Sequence, residues 1–389
     1  MIAYLCRATG KEPQAGDERM YDPHSIDIVI PSFRLHEHVL MAIIALPKPP
    51  DFQVNTYIVA DNPQVVVPLR LQELHESGAI TLLINSSNVG VSATRNKGIR
   101  AGNSKWILLL DDDIQPQSDL LIAYAQAIQQ EANAIGFVGV TYFPEPVNSS
   151  TKALTINGSV DHFSAASRYS TLPWAPTANI MLNRQKLGDE LFDPALTKSG
   201  EDIDFLVRNY LYFNEKYIGV PHAVVFHPWW DNGRTQTRRM VRYGEGASQI
   251  ARKEPVKNYT YHDFLNTSES LLLLLLLLPM AVLAGEVRII ACYLTALILA
   301  EFMTNLLKAV LVGKTWSLPV AFQLMWIKNC YEFGYLTNAL SQGHINGFAE
   351  RIEMGFVKPH PSSFRLNRWK IIKSLVLIVL LVLFWFITT

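Results

Sequence analysis

The sequence has little cysteine and no excess of charge of either sign. Its three cysteines, Cys6, Cys292 and Cys330, are far apart and none belongs to a CxxC pair, so we expect neither disulfides nor a cysteine metal site. The 34 basic residues balance the 34 acidic residues, which argues against a nucleic-acid partner because such proteins usually carry a basic excess. Residues 1–20 also lack a cleavable apolar core, so no secretory signal is expected.

Long apolar runs are confined to the C-terminal third of the chain. At 389 residues the chain is long enough for two or three units, and residues 1–265 have the charge distribution of a soluble domain. A helix that crosses a hydrocarbon core needs about 20 mostly apolar residues. A buried core helix is the alternative for each run, most of all for the middle one, which Glu301 and Lys308 interrupt. We predict a membrane region at 263–389 with about three transmembrane helices, at 268–285, 287–312 and 371–388.

The distribution of basic residues predicts the orientation of these helices. Cytoplasmic loops carry an excess of Lys and Arg, and seven basic residues cluster around the connection between the second and third apolar runs. We therefore predict a multi-pass protein of the cell membrane with residues 1–265 in the cytoplasm; Arg288, in the turn between the first two runs, argues weakly against this. The seven are Lys308, Lys314, Lys358, Arg365, Arg368, Lys370 and Lys373.

The segment at 315–350 mixes aromatic, apolar and isolated charged residues. Amphipathic aromatics such as Trp316 and Trp326 favour the headgroup layer of a bilayer. We predict an interfacial segment on the membrane surface. A fourth span is the alternative, and Lys328 and Glu332 weaken it.

Strand and helix signals alternate between Ile26 and about Val225. Short apolar runs at 26–31, 55–62, 80–85 and 106–111 are separated by helical stretches, a pattern typical of a mostly parallel sheet covered on both faces. We predict an α/β, Rossmann-like domain at 25–262, after an N-terminal extension at 1–24. Ligands bind beyond the carboxyl ends of the strands in such sheets.

Two weaker strand signals follow, at Phe137–Tyr142 and at Ala153–Ile156. Prolines and asparagines between them indicate loops.

Three consecutive aspartates, Asp111, Asp112 and Asp113, follow the apolar run that begins at Trp106. Alternate side chains of an extended chain share one face, so Asp111 and Asp113 are expected to point the same way and Asp112 the other way. Two converging carboxylates suit Mg²⁺ or Mn²⁺, which prefer oxygen ligands. A solvated acidic loop that caps the next helix is an equally weighted alternative.

A second acidic cluster, Glu201, Asp202 and Asp204, begins a helical stretch directly after a glycine. Acids at a helix N-terminus interact favourably with its dipole, so capping is one explanation. Three acids exceed what capping needs, and a carboxylate above the sheet edge could accept a proton from an incoming hydroxyl.

A third cluster lies at 227–253. His227 is either a metal ligand or a structural histidine beside Pro228. Four arginines follow it, and arginine matches phosphate geometry. We expect them to bind a substrate diphosphate, with anionic lipid headgroups as the alternative. The four are Arg234, Arg238, Arg239 and Arg242.

Four sequence motifs follow one another between residues 25 and 260. They are IVIPSF at Ile28–Phe33, NVGVSATRNKGIRAG at Asn88–Gly102, the WILLLDDDIQP that follows it, and GEDIDF at Gly200–Phe205. In this order the sequence resembles a membrane-anchored family 2 glycosyltransferase with the GT-A fold. IVIPSF is similar to the opening strand of that family, the second and third motifs are similar to its most recognisable stretch, and GEDIDF resembles its acidic motif.

The resemblance implies a role for each matching residue. Asp202 would be the catalytic base, and Asp111 and Asp113 would hold Mg²⁺ or Mn²⁺. His227, the candidate ligand from the third cluster, is added to this metal set on its own chemistry and not on the resemblance. Gln236–Met240 is similar to the QxxRW motif of processive synthases, but Met240 replaces the tryptophan, which puts processive polymerisation in doubt. The donor would contact Pro31, Ser32, Asp61, Arg95, Asn96 and Asp111. From the QxxRW-like motif and the neighbouring residue patterns together, we expect the acceptor or diphosphate to contact Glu201, Trp229, Trp230, Gln236, Arg238 and Arg239.

These implications predict an inverting, divalent-metal-dependent transfer of a sugar from a nucleotide-sugar donor, with a UDP-sugar favoured. The acceptor would be a hydroxyl of a lipid-linked or membrane glycan substrate, because an enzyme held at the bilayer is suited to such substrates. One alternative is a catalytically inactive membrane protein with a nucleotide-sugar-binding scaffold domain. A nucleotidyltransferase is disfavoured because PSFRLHEH, after the first strand, contains no glycine-rich phosphate loop.

Overall fold

The computed structural model describes residues 21–188, 191–360 and 364–388 of the chain. Most of the predicted N-terminal extension at 1–24, with Cys6, lies outside these residues. Within the described part, Cys292 and Cys330 are free thiols.

A nine-stranded sheet organises the N-terminal domain. Its strand order is β3-β2-β1-β4-β8-β6-β9-β5, with β7 paired to β9. The strands are β1 Ser25–Ser32, β2 Gln53–Ala60, β3 Thr81–Ile84, β4 Trp106–Leu110, β5 Gln115–Pro116, β6 Gly136–Tyr142, β7 Thr171–Leu172, β8 Asn179–Asn183 and β9 Tyr217–Phe226.

The sheet is mixed but mostly parallel, as predicted. Strands β1, β2, β3 and β4 pair in parallel, and β6 pairs in parallel with β9. Strand β8 runs antiparallel between β4 and β6, and the two-residue strands β5 and β7 are antiparallel to β9. The α/β fold class is therefore confirmed, and the antiparallel β8 is the element that the alternating pattern did not reveal.

The strand register brings the chemically active residues to one edge. Ser32 pairs with Ala60, Ala60 pairs with Ile84, and Val29 pairs with Leu109. Because these strands run in the same direction, the residues that directly follow them meet at the carboxyl edge of the sheet.

Helices cover the sheet and form the C-terminal region. Their bounds are α1 Glu37–Ile44, α2 Leu69–Glu76, α3 Val91–Ala101, α4 Leu120–Gln130, α5 Ser149–Asn157, α6 Glu201–Phe213, α7 Thr237–Ile250, α8 Thr267–Leu283, α9 Val287–Leu311, α10 Leu318–Ser341 and α11 Arg368–Thr388. A short antiparallel pair, β10 Thr260–His262 and β11 Glu350–Ile352, joins the two regions.

The strand predicted at Ala153–Ile156 is wrong, because these residues lie in α5. The start of this helix is fixed by local hydrogen bonds. The Asn148 side-chain oxygen accepts from the backbone N–H of Thr151, and the Thr151 hydroxyl oxygen accepts from the backbone N–H of Asn148. This reciprocal capping satisfies amide groups that a helix otherwise leaves unpaired, and it outweighs the β propensity of Thr155 and Ile156.

Helix α10 packs on α7 at unusually short range. The crossing is made by Gly244 of α7 and Gly334 of α10, where any side chain would overlap the opposite backbone: a Cβ on Gly244 would meet the carbonyl of Tyr331, and one on Gly334 would meet that of Val241. The C-terminal half therefore returns to the α/β domain after the apolar helices. The domain boundary at 262 remains a prediction.

We expect Gly244→Ala to separate α7 from α10. The added methyl has no room against the Tyr331 carbonyl, and overpacking of this kind costs about 1–3 kcal/mol. Thermal unfolding followed by circular dichroism should show a lower midpoint for the variant. Arg238→Ala, an exposed position on the same helix, is the control and should unfold at the temperature of the unmodified protein.

Two of the described helices are long and apolar enough, by length and composition, to cross a membrane. They are Val287–Leu311 and Arg368–Phe386, which correspond to the second and third predicted spans. The first predicted span, 268–285, forms α8, which is apolar but has only 17 residues and contains Pro279. The three-span arrangement therefore stays a prediction.

Candidate active site

A cleft of about 860 Å³ opens at the carboxyl edge of the sheet. It brings together acidic residues that lie far apart in the sequence, and Asp113 and Asp202 both line it. Other predicted site residues also line the cleft: Asp61, Arg95, Asp111, Glu201, His227, Trp230 and Arg239.

Asp111, Asp113 and His227 form a group suited to a cation. Each offers one ligand atom, and these atoms lie within 4.8 Å of one another. The Asp113 Oδ1 is 3.2 Å from the His227 Nε2. Burial raises the pKa of Asp113, the neighbouring Asp111 and Asp112 carboxylates add to that rise, and His227 opposes it. The two carboxylates are the oxygen ligands that Mg²⁺ and Mn²⁺ prefer, whereas an imidazole ligand is typical of transition metals.

Asp112 points away from this group, as the alternation of side chains predicted. Its Oδ2 accepts a hydrogen bond of 2.7 Å from the Ser32 hydroxyl, whose oxygen in turn accepts from the Leu35 amide. Burial raises the pKa of the Asp112 carboxyl, and the Ser32 bond opposes that rise. Ser32 therefore holds the aspartate loop in place, and it is not among the residues that line the cleft.

The orientation of His227 leaves one ring nitrogen facing Asp113. The Nδ1 lies 2.6 Å from the Pro228 carbonyl, which can only accept a hydrogen bond, so Nδ1 must carry the proton. The ring also stacks on Phe143, with centroids 4.9 Å apart. A backbone carbonyl on one nitrogen is the usual way to direct the other nitrogen of a histidine toward a metal.

Arg95 links the aspartates to the second acidic cluster. It is almost fully buried, and its two terminal nitrogens contact Asp111 at 3.2 Å and Glu201 at 3.0 Å. Burial alone would lower the pKa of the Arg95 guanidinium, but the carboxylates outweigh burial and raise it. The arginine therefore stays charged and holds the strand end and the α6 N-terminus together.

Asp202 is the acid that the second cluster leaves available. Glu201 pairs with Arg95, and the inward-facing Asp204 pairs with Arg208 and Lys253, each at 3.1 Å. Among the described residues Asp202 makes no ion pair. Burial, followed by repulsion from Glu201, raises the pKa of Asp202 to about 7, against the opposing effect of Arg95. A carboxyl group with this pKa suits proton transfer near neutral pH.

The backbone before α6 requires a glycine. Gly200 has φ 88°, a left-handed conformation that side chains rarely adopt. This turn directs the first residues of α6 toward the carboxyl edge of the sheet, so Glu201 and Asp202 reach the cleft.

Helix α7 contributes cationic and aromatic groups to the cleft. Gln236 is buried; its amide donates to the carbonyls of Trp230 and Arg234, and its oxygen accepts from the Arg239 Nε at 3.1 Å. The Arg239 guanidinium lies 4.5 Å from the centroid of the Trp230 ring. Gln236 therefore acts on the cleft indirectly, by holding the turn and Arg239.

Arg242, rather than Arg238, accompanies Arg239 in the cleft. Positions three and four apart share a helix face, and Arg239, Arg242 and Tyr243 all line the cleft, whereas Arg238 is exposed outside it. Arg242 makes no ion pair with any carboxylate in the part of the chain that the structure describes. Two arginines without carboxylate partners are available for an anionic substrate.

Several predicted donor or acceptor contacts have structural partners instead. The Asp61 carboxylate accepts from Asn85 and from the backbone N–H groups of Val89 and Gly90, so it shapes the loop before α3 while it lines the cleft. Both amide atoms of Asn96 bond to the backbone of Phe192.

Asn96, Pro31 and Trp229 do not line the described cleft. The Trp229 Nε1 instead donates to the Glu145 carbonyl.

The cleft also contains residues that the sequence patterns did not reveal. Tyr331 of α10 and Met354, after β11, line it although they lie in the C-terminal part of the chain. The Trp174 indole donates to the Met354 carbonyl at 2.8 Å. No local motif marks these residues, because their position depends on the return of α10 to α7.

Comparison with known proteins agrees with this arrangement. Residues 48–191 match the family model described as glycosyl transferase family 2. Residues 48–191 therefore belong to a family 2 glycosyltransferase domain. The matched residues include the aspartate cluster and Arg95. Asp202, His227 and α7 come after the matched residues in the sequence, and the fold brings them to the same cleft.

Two relatives extend the comparison. An uncharacterised glycosyltransferase from Haemophilus influenzae is 27% identical over 135 residues, which cover 31% of this chain and 44% of that protein's own length. A mannosyltransferase from Pyrobaculum calidifontis, solved in complex with GDP-mannose and Mn²⁺, has a TM-score of 0.50 at 15% identity and covers 87% of this chain and 94% of that chain. The second likeness shows that the fold of the glycosyltransferase domain is shared.

Proposed function

We propose that the protein is an inverting, metal-dependent glycosyltransferase that moves a sugar from a nucleotide-sugar to a hydroxyl of a lipid-linked or membrane glycan acceptor. One observation carries the proposal: Asp202 and the group Asp111, Asp113 and His227 line the same cleft. A transfer of this kind needs a base for the acceptor and charge stabilisation for the leaving diphosphate, and the cleft offers both.

Asp202 is the proposed base. Its carboxylate would take the proton from the acceptor hydroxyl as the oxygen forms a bond to the anomeric carbon of the sugar. The bond from that carbon to the diphosphate breaks on the opposite face, so a single displacement inverts the anomeric configuration. The Ile203 amide donates to the Asp202 Oδ1 at 2.8 Å and orients the carboxylate.

The donor set of Asp111, Asp113 and His227 fits Mg²⁺ or Mn²⁺, because the atoms converge and the proton on Nδ1 of His227 leaves Nε2 free to coordinate. A bound divalent ion there would supply positive charge next to the departing diphosphate. Arg239 and Arg242, which also line the cleft, would add positive charge and bind phosphate oxygens of either substrate.

The donor class follows from the same arrangement. The P. calidifontis enzyme was solved with a nucleotide-sugar and Mn²⁺. We propose a donor of the same class for this protein, and among nucleotide-sugars we favour a UDP-sugar. The apolar helices Val287–Leu311 and Arg368–Phe386 support a membrane location. We propose that the glycosyltransferase domain faces the cytoplasm, on the side of the basic residues that connect these helices.

A catalytically inactive scaffold that only binds a nucleotide-sugar is the alternative. The raised pKa of Asp202 disfavours it, because burying a carboxylate next to Glu201 is costly and has no evident use in simple binding. Purified protein, a panel of radiolabelled nucleotide-sugars and a membrane extract would distinguish the two. A product whose mass has increased by one sugar supports transfer, whereas binding without such a product supports the scaffold.

The rate of transfer should depend on pH through Asp202. The base must be deprotonated, and its pKa is about 7, so kcat/KM should fall about tenfold for each pH unit below about 7. Glu201→Gln removes a negative neighbour that raises this pKa, so the variant's decline should begin at lower pH. A constant kcat/KM between pH 5 and 8 would exclude Asp202 as the base.

A further inference from the structure

Helix α10 has two chemically different sides. One side is buried against α7 and neighbouring helices, through residues such as Leu324, Ile327 and Tyr335. The opposite side carries five large apolar residues that are each 41–55% exposed. Their spacing of four or seven positions places them on one face of the helix. We call them the outer stripe: Leu318, Phe322, Trp326, Phe333 and Leu340.

The outer stripe is not a normal water-facing helix surface. Exposed helix faces in water usually carry charged side chains, yet no charged residue of α10 is exposed. The helix has two charged residues, Lys328 and Glu332, and both turn away from the stripe into a buried ion-pair network. An exposed, uncharged aromatic surface of this length indicates a partner.

An ion-pair network beside α10 marks the level at which charged residues interrupt the apolar helices. Lys328 of α10 contacts Glu301 of α9 at 2.8 Å, and Lys373 of α11 contacts the same glutamate at 2.8 Å. The Glu332 carboxylate accepts from the Thr267 amide at the start of α8 at 2.9 Å. Groups from α8, α9 and α11 are therefore linked, directly or through Glu301, to the charged residues of α10 at one level of the structure.

Beyond that level each apolar helix has a long uncharged stretch, which in α9 lies between Arg288 and Glu301. Their uncharged stretches face outward with many exposed leucines, isoleucines and valines, and a hydrocarbon core is the medium that such surfaces match. Helix α10 thus lies at the boundary between the glycosyltransferase domain and these stretches. The uncharged stretches are 270–283 of α8, 289–300 of α9 and 374–388 of α11.

We infer that the outer stripe contacts the interfacial layer of the lipid bilayer, so that α10 lies between the glycosyltransferase domain and the membrane surface. Phe322 and Trp326 stack with centroids 6.0 Å apart, and the Trp326 indole donates to the Thr237 hydroxyl at 2.8 Å. A ring that is apolar on its face and bonded at its edge is typical of the headgroup region. The inference rests on the membrane location in the proposed function.

The position of α10 has a consequence for the cleft. The same helix presents Tyr331 to the cleft and packs on α7, which carries Arg239 and Arg242. Packed helices lie about 8–10 Å apart, so the cleft would be held about one helix diameter from the lipid. An acceptor whose reactive hydroxyl is tethered to the membrane could then reach Asp202 without leaving the bilayer.

Spin labels on the full-length protein in lipid nanodiscs test the inference. The natural cysteines are replaced by alanine, and one nitroxide is attached at Phe322→Cys or at Phe333→Cys. Val66→Cys, an exposed apolar position in the loop between β2 and α2, is the matched control. Power saturation compares the access of each label to oxygen, which partitions into lipid, with its access to a water-soluble nickel chelate.

We expect labels at 322 and 333 to be relaxed more by oxygen than by the nickel chelate, and the label at 66 to show the reverse order. Labels at 322 and 333 that behave like the label at 66 would overturn the inference. Spectra broadened by spin–spin coupling would also overturn it, because a second copy of the chain would then cover the stripe. The measurement does not use sugar transfer, so a catalytically inactive protein would refute the proposed function and leave this result unaffected.

Discussion

Replacing Asp202 with asparagine should lower kcat for sugar transfer by about 10²–10⁴-fold, the usual contribution of a positioned base. Asparagine keeps the shape of the side chain and can still accept from the Ile203 amide, but it cannot take a proton from the acceptor hydroxyl. Donor affinity should be unchanged, because the proposed diphosphate contacts come from the cation held by Asp111 and Asp113 and from the arginines of α7. Transfer of a radiolabelled sugar gives the rate, and calorimetric titration with the donor gives the affinity.

Asp119→Asn is the control for this experiment. Asp119 is an exposed aspartate before α4 and does not line the cleft, so the same chemical change there should leave kcat within twofold of the unmodified enzyme. A near-normal turnover of Asp202→Asn would remove Asp202 from the mechanism. A loss of donor binding equal to the loss of transfer would instead make it a binding residue.

Removing a divalent cation should have an effect of similar size. We expect a chelator to abolish transfer and added Mg²⁺ or Mn²⁺ to restore it. Asp113→Ala should weaken Mn²⁺ binding and lower kcat by about 10²–10³-fold, the loss typical when one group that stabilises transition-state charge is removed. Electron paramagnetic resonance of free Mn²⁺ measures the affinity, because bound Mn²⁺ loses its six-line signal.

Asp112→Asn separates the metal role from a general effect of the acidic loop. The asparagine oxygen can still accept from the Ser32 hydroxyl, and the side chain points away from Asp111, Asp113 and His227, so Mn²⁺ affinity should be retained. Full transfer activity in excess chelator would contradict the metal role of the cluster. If Asp112→Asn lost as much Mn²⁺ affinity as Asp113→Ala, the proposed assignment of the metal ligands would be wrong.

The parts of the site that sequence patterns predicted lie at the ends of strands and at the start of a helix. Asp111 and Asp113 follow a buried apolar strand, and an extended chain has only two faces, so their common direction could be foreseen. Asp202 follows a glycine at a helix start. Parallel strands bring their carboxyl ends to one edge, which is why these residues meet despite their separation in the sequence.

The rest depends on packing that a single sequence does not encode locally. The motif that contains Arg95 and Asn96 suggested two donor contacts, but only Arg95 lines the cleft, where it contacts Asp111 and Glu201, whereas Asn96 bonds to the Phe192 backbone. Adjacent helical residues point about 100° apart, so neighbours in a motif need not share a site. Tyr331 joins the cleft only because glycines let α10 approach α7.

The anomeric configuration of the product tests the central claim most directly. With any nucleotide-sugar that supports transfer, the proton coupling constant at the anomeric carbon of the product can be measured by NMR and compared with that of the donor. A hydroxyl activated by Asp202 and a diphosphate that leaves toward Asp111, Asp113 and His227 require inversion, so an α-linked donor should give a β-linked product. A product that retains the donor configuration would contradict the single displacement and the role of Asp202 in it.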